Sequence, residues 1–141
     1  MPPPERVVSW VYNSNTPRQH RDIAFWGVKP IFSQVTQPYK NPNDKRIKAR
    51  IAAGKTGCKM YDWFEVNQVK NVSKKKNGNI HPCEMPYEVM RRIVGVIPKE
   101  YVIVDPFMGA GTTVLAARDL GRDYIGIEID KEYFEYAKKR F

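Results

Sequence analysis

Residues 101–130 read YVIVDPFMGAGTTVLAARDLGRDYIGIEID, and the order of residue types in this stretch decides the fold. Val102, Ile103 and Val104 form a short β-branched apolar run, the kind that suits a strand buried on both faces. Asp105 and Pro106 end it. Gly109 and Gly111 allow a tight turn and let a ligand approach where a Cβ would otherwise stand. Thr112 and Thr113 are cap-forming residues for a helix running to Leu120, and Gly121 offers the left-handed residue that ends it. Tyr124 to Ile127 predicts a second strand, with Glu128 at its tip. Strand, glycine turn, helix, strand and acid together spell a parallel βαβ unit.

The spacing carries chemistry. A ligand lying across the carboxyl ends of two parallel strands meets the glycine turn and helix N-terminus at the first strand and an acid at the second. A carboxylate there can accept hydrogen bonds from both hydroxyls of an adenosine ribose. Glu128 follows Asp105 by 23 residues, close to the offset of roughly 20 in nucleotide folds. Gly109-Ala110-Gly111-Thr112-Thr113-Val114 lacks the third glycine of a dinucleotide fingerprint, and no Gly-Lys-Ser/Thr phosphate loop is present. Asp105 would repel a pyrophosphate but suits a cationic or amino-bearing ligand. S-adenosylmethionine has a sulfonium, an amino group and no phosphate. The competing reading is a purely structural βαβ corner.

Asp105-Pro106-Phe107-Met108-Gly109-Ala110-Gly111-Thr112-Thr113 resembles the cofactor motif of the DNA amino-methyltransferases that modify adenine N6 or cytosine N4. Gly126-Ile127-Glu128-Ile129-Asp130 with Tyr133, Ala137 and Arg140 resembles that family's C-terminal end. His81-Pro82 ahead of Pro86 resembles the motif that packs on the methionine end of the cofactor. The motif order is similar to that of the β group, in which target recognition precedes the cofactor strand. The resemblance implies an S-adenosylmethionine site formed by His81, Pro82, Asp105, Phe107, Gly109, Gly111, Thr112, Thr113 and Glu128. In it Asp105 meets the methionine amino group and Glu128 the ribose. It also implies restriction–modification chemistry on double-stranded DNA, in the cytoplasm of a prokaryotic or phage-infected cell.

Composition bounds the rest. The chain has 141 residues, allowing one modest core. Its net charge of +9 points to a polyanion partner. Cys58 and Cys83 make no metal spacing and fit a reducing compartment. No apolar run is long enough to span a membrane, and no signal-peptide pattern opens the chain.

Residues 37–79 concentrate the charge. Between Pro38 and Gly78 stand eleven Lys/Arg and three acids, which leaves +8 of the total +9 in this segment. Lys40, Lys45, Arg46, Lys48, Arg50, Lys55, Lys59, Lys74, Lys75 and Lys76 are candidate DNA contacts, joined in the count by Lys70. Tyr39, Tyr61, Trp63 and Phe64 interleave with them. Basic groups with aromatic platforms suit phosphate contact and base stacking, and by position the segment resembles the family's target-recognition region. A solvated basic loop is the plainer reading.

Upstream, Val7–Tyr12 and Asp22–Gly27 predict a hairpin around turn-forming Asn13 to Pro17. It resembles the edge hairpin of the methyltransferase sheet. His20 falls in the turn, as a structural hydrogen-bonding residue. Val89, Met90, Ile93, Val94 and Ile97 mark the buried face of a helix opened by Pro86. A last helix, Lys131 to Arg140, is capped by Asp130, buries Tyr133, Phe134 and Ala137, and ends in Lys138, Lys139 and Arg140, which suit its dipole.

The expected fold is therefore α/β. It is a partial Rossmann-like methyltransferase sheet with an N-terminal hairpin (1–36), a basic recognition insertion (37–79) and an S-adenosylmethionine-binding part (80–141). The family's catalytic Asp/Asn/Ser-Pro-Pro-aromatic tetrapeptide is not in this sequence, and Met1-Pro2-Pro3-Pro4 cannot replace it. No residue here is assigned to catalysis. The expectation is the C-terminal portion of such an enzyme, inactive alone. Its first strand would have an open edge for central strands carried by a second chain. A non-enzymatic DNA-binding remnant and a fragment of an RNA methyltransferase stay open as alternatives.

Overall fold

The computed structural model describes residues 1–14, 17, 19–69 and 84–141. His81, Pro82, Lys70, Lys74, Lys75 and Lys76 lie outside these residues.

Two sheets flank one helix. The first has the order β2-β1-β5, formed by β1 (Arg6–Val11), β2 (His20–Phe25) and β5 (Trp63–Glu65). The hairpin is antiparallel, pairing Arg6 with Phe25 and Val11 with His20. His20 thus opens β2 rather than sitting in the turn, and the strand starts two residues before Asp22. His20, Arg21 and Asp22 are exposed, so their polar side chains cost nothing in the strand. Ser9 donates a 2.8 Å hydrogen bond to Asp22 across the ladder. β5 joins β1 in parallel, placing Trp10 opposite Phe64. A strand from the basic segment thereby completes the N-terminal sheet.

That segment also folds locally. β3 (Thr36–Gln37) and β4 (Cys58–Lys59) form a short antiparallel pair. Between them α1 (Lys45–Ala52) buries no residue. Its stability comes from its ends: Asp44 accepts hydrogen bonds from the N–H groups of Arg46 (2.9 Å) and Ile47 (3.3 Å), and Gly54 follows at φ 79.

α2 (Tyr87–Val96) is the wedge. Val89 and Val96 enter a core with Val8, Trp10, Tyr12, Phe25, Val35, Met60 and Phe64. Val94 instead meets Ala116 and Ala117 of α3 (Thr112–Asp119), whose small side chains let the two helices approach closely. Met90, Ile93 and Ile97 are only partly buried, because α2 packs on two sides rather than along one stripe.

The second sheet pairs β6 (Ile103–Asp105) with β7 (Tyr124–Gly126) in parallel, Val104 opposite Ile125. α3 crosses between them as the βαβ reading requires. It ends in a Schellman turn: Gly121, at φ 63, donates to Arg118 O, and Arg122 N–H donates to Ala117 O. α4 (Lys131–Lys138) follows, with Asp130 capping the N–H groups of Glu132 and Tyr133. Ala137 is fully buried, whereas Phe134 is 36% exposed, so the inner face is narrower than its sequence suggests.

One face of the β6–β7 sheet is open. Ile103 packs toward α2 and α3. On the opposite face Val102, Val104, Ile125 and Ile127 are each 51–55% exposed. An apolar parallel sheet is normally covered on both sides. Among the described residues, β6 pairs only with β7.

Candidate functional site

The site is built where β6 and β7 end. Asp105 accepts the N–H of Phe107 at 3.1 Å, a local turn that carries the chain out of the strand. Two main-chain bonds then tie the strand ends together. Ile127 N–H reaches Asp105 O and Met108 N–H reaches Ile127 O, both at 2.9 Å. Gly109 (φ 52) and Gly111 (φ 76) are left-handed, which explains glycine at both positions.

Glu128 closes the arrangement. One carboxylate oxygen accepts Gly109 N–H and the other accepts Asp130 N–H, each at 2.8 Å. Each oxygen keeps a second lone pair. The acid is thus oriented by the glycine turn itself while retaining the capacity to accept two further hydroxyls. Asp105 likewise has an oxygen not used by Phe107. The two carboxylates with the first turn of α3, whose N–H groups lack intrahelical acceptors, form a donor and acceptor set that fits an uncharged ribose and a cationic group better than a phosphate.

Three expected roles change. Thr112 and Thr113 do not cap α3: Gly111 is the N-cap residue and no side chain bonds to the helix N–H groups there. The Thr112 hydroxyl is buried and has no hydrogen-bond partner. Gly111 does not clear space for a ligand. A Cβ there would lie 2.9 Å from Ala137 Cβ and 3.0 Å from Phe141 Cζ, so its missing side chain admits α4. Phe107 is 88% exposed and projects from the turn.

Arg140, expected to suit the helix dipole and part of the C-terminal resemblance, has a contact with the glycine turn that the sequence does not show. Its Nη1 donates to Ala110 O inside the glycine turn (2.7 Å) and pairs with Glu84 (2.9 Å). No local pattern signals this, because a long side chain bridges residues distant in sequence.

The basic segment forms a second candidate surface. Lys40, Lys45, Arg46, Lys48, Arg50, Lys55 and Lys59 are all exposed. A 330 Å³ groove runs between α1 and Tyr39, lined by Lys40, Arg46, Arg50 and Tyr61. A 590 Å³ depression shares Tyr39, Arg50 and Tyr61 and adds Lys55, Cys58 and Lys59. Lys40 Nζ lies 3.3 Å from the Trp63 ring centroid, so a cation sits on an aromatic face. The Cys58 thiol donates to the Tyr61 hydroxyl at 3.3 Å, and this contact is the main cause that holds the tyrosine above its ordinary pKa. Arg92, buried in α2, donates to Gln37 at 3.1 Å and to Glu88 at 2.8 Å, fixing the start of this surface to the wedge helix.

With both surfaces in view, the comparison with known proteins is decisive. The model of the N6/N4 DNA methylase family matches residues 7–139. The chain belongs to this family. Within it, the chain is 34% identical over 104 residues to the type II methyltransferase M.ScaI of Streptomyces caespitosus, covering 72% of the chain and 34% of that relative. It is 48% identical over 61 residues to M2.LlaDCHI of Lactococcus lactis subsp. cremoris, covering 43% and 23%. The chain therefore spans about a quarter to a third of these relatives. Among solved structures it resembles the PvuII cytosine-N4-specific DNA methyltransferase (TM-score 0.63, 17% identity, 99% of this chain and 51% of that one). It also resembles M1.HpyAVI solved with S-adenosylmethionine (TM-score 0.56, 24% identity, 96% and 60%). These likenesses establish the α/β methyltransferase fold.

Proposed function

We propose that this chain is the cofactor-binding and target-recognition portion of an S-adenosylmethionine-dependent DNA methyltransferase acting on an exocyclic amino group of adenine or cytosine. The observation that carries the reading is the Glu128 carboxylate, held on Gly109 N–H with lone pairs to spare, facing the strand ends beside Asp105. In this reading Glu128 accepts the ribose hydroxyls and Asp105 the methionine amino group. Phe107, Gly109, Gly111, Thr112 and Thr113 form the surrounding turn, and His81 and Pro82 are proposed for the methionine end. The cofactor supplies an electrophilic methyl on its sulfonium. The basic groove between α1 and Tyr39 takes duplex phosphates and positions the target.

Methyl transfer needs more chain than this. Val102, Val104, Ile125 and Ile127 leave an apolar sheet face uncovered beside the unpaired edge of β6. We assign that edge and face to the strands that carry the catalytic tetrapeptide and stack the flipped base. They are supplied by the same polypeptide or by a second chain.

Calorimetry tests the reading. The chain should bind S-adenosylmethionine with duplex DNA absent, and should bind duplex DNA with a steep salt dependence. Incorporation of labelled methyl into DNA by this chain alone would contradict the assignment of catalysis to the missing strands. A second reading, a DNA-binding protein without enzymatic partners, draws on the groove being independent of the glycine turn. It predicts DNA binding with no cofactor affinity.

A further inference from the structure

Arg140 lies just past the end of α4, where a basic side chain would ordinarily point into solvent. Its Nη1 donates at once to Ala110 O, within the glycine turn, and to the Glu84 carboxylate ahead of α2. The Glu84 side chain is only 10% exposed, and its second oxygen is buried without a hydrogen-bond partner among the described residues. A buried carboxylate in that state needs its one cation. The Arg140 backbone is fixed in turn: Arg118 Nη1 donates to Arg140 O at 3.1 Å.

We propose that the Arg140–Glu84 pair is a clamp that positions the cofactor turn, holding the Ala110 carbonyl from behind so that Gly109 N–H stays aimed at Glu128. The proposal rests on the reading that this turn holds S-adenosylmethionine. Arg140 is a positioning residue and touches no ligand. It gives the turn its third tether, beside the Met108–Ile127 main-chain bond and the Gly109–Glu128 bond. Without it, Gly109 to Gly111 would keep the flexibility that two left-handed glycines confer. Misplacement of a binding turn by an ångström is enough to lose an order of magnitude or more in effect.

The test compares four variants of the full chain by S-adenosylmethionine calorimetry and by amide exchange at Gly109 and Gly111. Arg140→Met should raise Kd about tenfold or more and speed exchange at both glycines. Arg140→Lys should recover most of the affinity, because an ammonium can still meet Glu84 and Ala110. Lys139→Met changes an exposed neighbour of Arg140 that takes no part in the clamp and should bind as the unsubstituted chain does. If Arg140→Met fails to fold, Glu84→Leu/Arg140→Met removes the buried charge along with its partner and should fold but still bind weakly. Wild-type affinity in that double variant, or unchanged glycine exchange in folded Arg140→Met or in the double variant, overturns the clamp. If the unsubstituted chain binds no cofactor, the functional reading fails, whereas the exchange measurement still decides on the clamp.

Discussion

The Glu128 carboxylate accepts the N–H of Gly109 at 2.8 Å, so the acid at the tip of β7 and the turn at the tip of β6 form one unit before any ligand arrives. The bond is charge-assisted, and such bonds contribute about 1.5–3 kcal/mol. Glu128→Gln keeps the shape but offers one acceptor oxygen where the carboxylate offers two. Its amide nitrogen would face either Gly109 N–H or Asp130 N–H, donor against donor. The expected result is a drop of about tenfold or more in S-adenosylmethionine affinity with a melting temperature lowered by only a few degrees, about 1–2 kcal/mol in stability. Unchanged affinity by calorimetry would remove Glu128 from the site.

Two left-handed glycines separate conformational strain from crowding. At Gly121 (φ 63) nothing stands within 4 Å of an added Cβ, so Gly121→Ala meets only the left-handed penalty, about 1–2 kcal/mol. At Gly111 (φ 76) the same penalty is joined by contacts of 2.9 and 3.0 Å to Ala137 and Phe141. Overpacking of that kind adds about 1–3 kcal/mol. Urea unfolding of the two variants should therefore rank Gly111→Ala well below Gly121→Ala. Equal losses would mean that α4 moves aside freely.

Much of this architecture is legible in the sequence where the signal is local. Gly121 stops α3 and Asp130 caps α4 as their residue types require, because both act on N–H and C=O groups a few positions away. The same reasoning applies to α1, which Asp44 opens ahead of a run of good helix formers and Gly54 follows. The pairing of β5 with β1 was hidden, since nothing local specifies a partner over fifty residues distant. The glycine turn was legible as a motif but not in its division of labour. Gly111 serves the packing of α4, and Arg140 rather than a threonine supports the turn, because both contacts depend on where the C-terminal helix docks. The apolar face of Val104 and Ile125 was read as buried and stands open. The sequence of a strand records the faces it is suited to bury, whether or not the covering segment lies in the same 141 residues.

Arg122 should be among the costliest positions to change. Its guanidinium is buried and donates to the carbonyls of Val94 (3.2 Å), Ile97 (3.0 Å), Pro98 (2.5 Å) and Tyr101 (3.1 Å). These oxygens come from the end of α2 and the loop into β6, where the helix dipole is negative, so the cation is compensated by main chain. Arg122→Met leaves buried acceptors unpaired, at about 1–3 kcal/mol each where water cannot replace the donor. We expect a loss of about 3 kcal/mol or more and a melting temperature lower by roughly 10 °C. Arg122→Lys, with a single donor centre, should recover less than half. A loss below 1 kcal/mol, about the effect of a surface change, would show that water takes over the carbonyls.

The acid stability of α2 has a definite sign. Glu88 bonds to Arg91 at 2.7 and 2.9 Å and to Arg92 at 2.8 Å. The hydrogen bond from Arg91 is the main reason its pKa lies below the ordinary glutamate value, with partial burial opposing. A carboxylate whose folded pKa is lowered stabilises the fold above its unfolded pKa, about 4.3. That contribution disappears as the pH falls through the lower folded value. Because the side chain is 37% exposed, solvent screening keeps the effect small. Glu88→Gln should lower the urea midpoint at neutral pH and converge with the unsubstituted chain well below the glutamate range. A gap that persisted at acid pH would point to lost packing instead of lost charge.

The basic groove makes a prediction that separates binding from stability. Lys45 and Lys48 lie on α1, which buries no residue, so replacing them with alanine should leave the melting temperature within about 2 °C, as exposed substitutions usually do. If each neutralises one phosphate, the slope of log K against log salt for duplex DNA should become shallower by about 1 per lysine, and affinity should fall evenly across sequences. Fluorescence anisotropy at several salt concentrations measures both quantities. Trp63→Ala offers the counterpart: it removes the face on which Lys40 sits, at 3.3 Å from the ring centroid, without removing a charge. Its effect should therefore appear as weaker binding at an unaltered salt slope. An unchanged slope for Lys45→Ala/Lys48→Ala would move the DNA path off these two lysines and onto the groove and depression that share Tyr39, Arg50 and Tyr61.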